Sequence, residues 1–94
     1  MNKFQIIKLL RENNDSIIDI AGNDSICATI DFSSKYIKNK RLQRRSITKN
    51  SILVFSWTDD NFRNIEVKSV KKIIPLSNIL NNESPEIIVD GQED

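Results

Sequence analysis

The chain has no histidine, one cysteine, two glycines and two prolines in its 94 residues. Without histidine and with only Cys27, the usual zinc frameworks are excluded. Ser–His and Cys–His nucleophilic sites are excluded too, because nothing can serve as the imidazole base. A lone cysteine forms no intramolecular disulfide, which fits a reducing cytoplasm. No apolar run is long enough to span a bilayer. The N-terminal apolar run is short and broken by charge, unlike a secretory signal. These absences predict a cytoplasmic chain with no membrane partner. Catalysis would have to rest on carboxylates, lysine, tyrosine or a bound metal. None of these clusters in sequence, so we expect no enzyme and no cofactor.

What is present is an ordinary globular composition, 38% hydrophobic and 29% charged. Ninety-four residues make one domain with a modest core. The net charge of +1 hides an asymmetry. Residues 1–82 hold all 14 basic residues and 8 of the 13 acidic ones, for +6. Residues 83–94 hold Glu83, Glu86, Asp90, Glu93 and Asp94, for −5. A basic body therefore carries an acidic tail.

Asn2 predicts a capped helix over residues 3–12, with Phe4, Ile7 and either Leu10 or Leu9 on its packing face. Ile18 and Ile20, then Ile26, Ala28, Ile30 and Phe32, alternate with other residues on either side of Gly22-Asn23-Asp24. That pattern predicts a hairpin with one apolar face. Ser33 or Ser34 can cap a helical turn through Tyr36 and Ile37. From Lys35 to Lys49 there are seven basic residues and no acidic one. This stretch reads as a long exposed connection. Ser51–Trp57 is the most apolar run and predicts the central strand. Thr58–Asn61 is a turn, residues 62–67 alternate, and residues 70–74 form a last strand that Pro75 stops. Leu76 to Leu80 predicts a helical turn. The acidic tail 81–94 reads as a flexible appendage, or as a strand, Ile87-Ile88-Val89, added to a sheet edge in cis or in a partner.

The expected fold class is therefore mainly β (α+β): a leading helix, then a five-stranded SH3-like or Sm-like barrel over residues 1–80. Closing the sheet would remove most exposed strand edges. Within it, the run ILVFSWTDDNFRNIEVKSVKKI joins an apolar strand with an aromatic, a turn, the aromatic–arginine step Phe62-Arg63, alternating Ile65 and Val67, and Ser69-Val70 opening the last strand. With the earlier CATIDF strand, it resembles the small WYL-like domains of tailed phages, which have an Sm-like SH3 barrel fold. The abundance of isoleucine, asparagine and lysine fits the AT-rich genomes of many phages. The resemblance covers residues 3–74 and implies a small regulatory barrel without established catalysis, in the cytoplasm of a bacterial host. Phe62 stands where tryptophan is usual. Ser69 stands where the larger WYL domains often carry a second arginine, so their ligand site does not carry over.

The strongest candidate site is the basic connection: Lys35, Lys38, Lys40, Arg41, Arg44, Arg45 and Lys49, with Tyr36 positioned to stack on a base. Arg63 shares a strand face with Ile65 and is either an anion ligand at the barrel mouth or the partner of Asp59, Asp60 or Glu66. Phe55 and Trp57 share a face with Leu53 and read as packing residues. Asp59-Asp60 needs no role beyond its turn, and Cys27 reads as incidental. The expected function is binding of RNA or DNA through the connection between strands 2 and 3. The alternative is a protein module that inhibits a host enzyme or an antiviral defence complex. Sm-like barrels can assemble through strand edges, so a homo-oligomer is among the expected assemblies.

Overall fold

The first helix, α1 (Lys3–Asn13), begins where Asn2 closes a capping box. The Asn2 side chain accepts from the Gln5 N–H at 3.0 Å, and Gln5 Oε1 accepts from the Asn2 N–H at 2.9 Å. The helix ends at Asn14, which takes a left-handed φ of 53°. Ile6 and Leu10, one turn apart, are its buried pair, and Ile7 and Leu9 flank them. Phe4 is 77% exposed, which corrects the expectation that it packs. At helical spacing Ile6–Leu10 and Phe4–Ile7 are rival stripes. The structure takes the stripe that begins one full turn inside the cap.

The computed structural model describes residues 2–40, 49–77 and 87–89. After α1 come β1 (Ser16–Ile20), β2 (Asp24–Thr29), α2 (Lys35–Lys38), β3 (Ser51–Ser56), β4 (Asn61–Glu66), a 3₁₀ turn at Val67–Ser69, β5 (Val70–Pro75) and β6 (Ile87–Ile88). The β1–β2 turn uses Gly22 at φ 92° and Asn23 at φ 60°, a pair of positive φ values that glycine and asparagine tolerate. The strands form one antiparallel sheet in the order β4-β3-β2-β1-β5-β6. The fold is α+β and mostly strand, as expected from the sequence. Among the described residues no helix is long and apolar enough to cross a membrane.

The sheet is not flat. β4 and β5 lie four positions apart in it, which in a flat sheet is about 19 Å. Yet only Val67–Ser69 join them. Four Cα steps reach roughly 14 Å at most, so the sheet curves between β4 and β5. All five long strands point one face into the same interior. Ile18, Ile26, Ala28, Ile52, Val54, Ile65, Val70 and Ile73 meet there, and Ile6 and Leu10 of α1 join them. β5 keeps both Val70 and Ile73 inward because its pairing with β1 shifts register between Asp19 and Ile20. Of the tail, Ile87–Ile88 pairs with β5 in cis, and the Val89 N–H donates to the Lys71 carbonyl at 2.9 Å. Val89 is 1% exposed and belongs to the interior cluster.

Candidate nucleic-acid interface

The curved sheet leaves its other face outward, and on β3 that face carries Leu53 and Phe55. Phe55 is fully buried although it points away from the main core. It lies beneath an aromatic layer, edge-on to Trp57 at 5.0 Å, to Phe62 at 5.4 Å and to Tyr36 at 6.3 Å. Phe32 adds an edge contact to Phe62 at 5.2 Å. The short helix α2 closes this layer. Ser34 caps it by accepting from the Ile37 N–H, and Ile37, 1% exposed, pins it to the protein. One residue back, Tyr36 stacks with Trp57 at 6.1 Å and an interplanar angle of 22°. Both rings remain accessible, Tyr36 by 51% and Trp57 by 39%.

Polar contacts hold this pair. Trp57 Nε1 donates to Asp15 Oδ1 at 2.9 Å. The Tyr36 hydroxyl donates to Asp60 Oδ1, and Lys40 Nζ lies 2.8 Å from Asp60 Oδ2. The same ammonium stands 4.9 Å over the Tyr36 ring. Asp60, at φ 53° in the β3–β4 turn, thus joins both ends of α2 to the sheet. Its carboxyl is held below the ordinary value of 3.8 by the Lys40 hydrogen bond first and by Tyr36 second. The Lys40 ammonium is correspondingly pushed up, chiefly by Asp60.

The depressed carboxyl sets the direction of a pH effect. Stabilisation by Asp60 is complete above its unfolded pKa and is lost as pH falls through the lower folded one. The α2 anchorage is therefore expected to hold from neutrality to about pH 4 and to loosen below it. Fluorescence of Trp57, the only tryptophan, reports this directly. An acid transition that survives unchanged in Asp60→Asn assigns it to another carboxylate.

α2 brings Lys35, Tyr36 and Lys38 together, with Lys40 just beyond them. Lys35 and Lys38 are exposed and have no ion pair among the described residues. Lys49 lies at the far end of the connection, exposed, with its carbonyl accepting from Lys3 Nζ at 3.2 Å. Arg41, Arg44 and Arg45 lie outside the described residues. Arg63 is anchored: its guanidinium bonds Asp24, and Asp59 at 3.3 Å, and these contacts raise its pKa, Asp24 most. Of its two sequence readings, the structure has the intramolecular pair. Asp59 was among its expected partners; Asp24, from the β1–β2 hairpin, was not.

Sequence reasoning gave Asp59-Asp60 a turn and named both as candidate partners of Arg63, but foresaw no contact of Asp60 with α2. The turn is there, but its carboxylates also fix Arg63, Lys40 and Tyr36. No local pattern marks the Asp60 contacts, since Lys40 and Tyr36 lie 20 and 24 residues away. Cys27 is half-buried, and burial, then Asp15, pushes its thiol pKa up, away from the reactive thiolate. Among the described residues no group of three or more acidic or cysteine side chains is placed to hold a metal. No family model, curated protein or solved structure matches this chain.

Proposed function

We propose that this chain is a small regulatory module of phage type, with an Sm-like barrel, that binds RNA or DNA through the basic connection between β2 and β3. The observation that carries the reading is the exposed Tyr36–Trp57 stack beside Lys35 and Lys38, two exposed cations with no described ion partner. Aromatic faces beside unspent cations suit bases and phosphates respectively. Three more arginines, Arg41, Arg44 and Arg45, follow in sequence. Lys40 and Arg63 contribute less, because Asp60, Asp24 and Asp59 already hold them. The strand order and the short β4–β5 link support the barrel. The role is binding rather than catalysis.

The test is affinity against salt for RNA, single-stranded DNA and duplex. Each phosphate contact contributes a slope of about −0.7 for single strands and −0.9 for duplex in log K against log salt. Neutralising Arg41, Arg44 and Arg45 together is expected to flatten the slope by about two to three. Binding that ignores salt, or that the triple variant leaves unchanged, removes the reading. A single stoichiometric partner from host lysate that survives nuclease treatment would instead favour the protein-inhibitor alternative.

A further inference from the structure

A groove of about 270 Å³ runs between α1 and the start of β3. Its apolar lining includes Ile7, Ile30, Phe32, Ile52 and Leu53, and its charged lining is Lys3 and Arg11. Among the described residues no acidic one lines it. Lys3, Ile7 and Arg11 fall at i, i+4 and i+8 on α1, so one helix face supplies both cations and part of the apolar surface. Neither cation has an ion pair among the described residues.

The groove also lies at the base of the basic connection. Phe32, in its lining, comes just before the residues that enter α2. Lys49, at the other end of the connection, accepts a hydrogen bond from Lys3 at its carbonyl. Both ends of the connection therefore meet the groove. Phe4, next to Lys3 in sequence and 77% exposed, offers a further aromatic surface on the same helix.

We propose that this groove holds an unpaired nucleobase with its phosphate, so that the nucleic acid bound is single-stranded. The proposal rests on the nucleic-acid reading above and names its substrate class. An apolar slot edged by two cations that have no ion pair among the described residues matches a ligand that is flat and apolar at one end and anionic at the other. Duplex keeps its bases stacked inside and offers only phosphate to such a slot. A single strand can give up a base to the apolar lining while the cations take its phosphate.

The probes are a short oligothymidylate, the matching oligouridylate and a duplex of equal length, followed by fluorescence anisotropy at a series of salt concentrations. The wild type is expected to prefer single strands by roughly five- to 150-fold, the range of one base-stacking contact. Leu53→Asn alters the lining without changing charge. It is expected to abolish that preference and leave duplex affinity intact. Lys3→Gln/Arg11→Gln, at surface positions of α1, is expected to flatten the single-strand salt slope by about one to two.

If the wild type shows no preference, or both variants keep it while binding still needs Arg41, Arg44 and Arg45, the groove proposal falls and the connection reading stands. If the wild type binds none of the probes, both fall. Amide shifts at Ile7, Ile30 and Leu53 with an acidic apolar peptide, but not with oligonucleotide, assign the groove to a protein ligand and overturn the proposal.

Discussion

Replacing Phe55 by alanine is expected to lower the unfolding free energy by about 3–5 kcal/mol. The ring is fully buried and touches Tyr36, Trp57 and Phe62, each edge-on. Alanine removes the burial of a large side chain and leaves a cavity that three rigid rings cannot readily fill. A domain of this size has a total stability of roughly 5–14 kcal/mol. The variant thus loses a large share of it through one residue outside the main interior cluster. Urea unfolding followed by far-ultraviolet dichroism gives the loss, and Trp57 fluorescence shows whether the aromatic layer opens first. A loss below about 1 kcal/mol would mean that Phe55 does not support α2 as described. The two functions of the layer separate here, because Phe55 bears the packing while Tyr36 and Trp57 present the accessible faces.

That division explains what the sequence could and could not reveal. The hairpin was legible because Ile18, Ile26 and Ala28 alternate around Gly22-Asn23, and both turn residues take the positive φ their identities suggest. The capped helices at Asn2 and Ser34 were legible for similar local reasons. Val67 reads as the last residue of an alternating strand, but the structure uses it to open the 3₁₀ turn while keeping it buried. Period two cannot distinguish these outcomes, because both bury the same side chain. The curving of the sheet depends on β4 and β5 being distant in strand order yet close in sequence, which no single strand encodes. The candidate site was half legible. Lys35, Tyr36 and Lys38 stand out by composition. The groove at Lys3, Ile7 and Arg11 did not, since a short amphipathic helix reads as packing until its exposed face is seen beside Leu53 and Phe32.

The tail gives the sharpest contrast between two burials of equal depth. Val89 and Ile18 are both 1% exposed and share one cluster. Ile18 sits in β1 between Ile26 of β2 and Ile73 of β5, with no cation across from it. Ile18→Asp must bury a carboxylate among aliphatic side chains or unfold the domain, since β1 pairs with a strand on each side. Burying the charge, or protonating it at neutral pH and leaving a polar group without the isoleucine's packing, uses up most or all of the roughly 5–14 kcal/mol the fold has, so the variant is expected to be unfolded at neutral pH. Val89→Asp has a cheaper outcome. β6 is two residues long and, among the described residues, pairs only with β5, so the chain can let it go. Burial of Val89 contributes about 1.5–3 kcal/mol and each strand hydrogen bond about 0.5–1.5. Fixing residues 87–89 costs about 1–2 kcal/mol of backbone entropy apiece. The two sums differ by no more than a few kcal/mol, so β6 can undock locally without global unfolding, and a single charge tips that equilibrium. Val89→Asp is accordingly expected to lower global stability by about 3 kcal/mol at most, while hydrogen exchange at the Val89 amide, which is bonded to the Lys71 carbonyl, loses its protection. Global unfolding of this variant would show that β6 is as integral to the fold as β1. Retained protection at Val89 would show that the introduced carboxylate finds a partner in the interior.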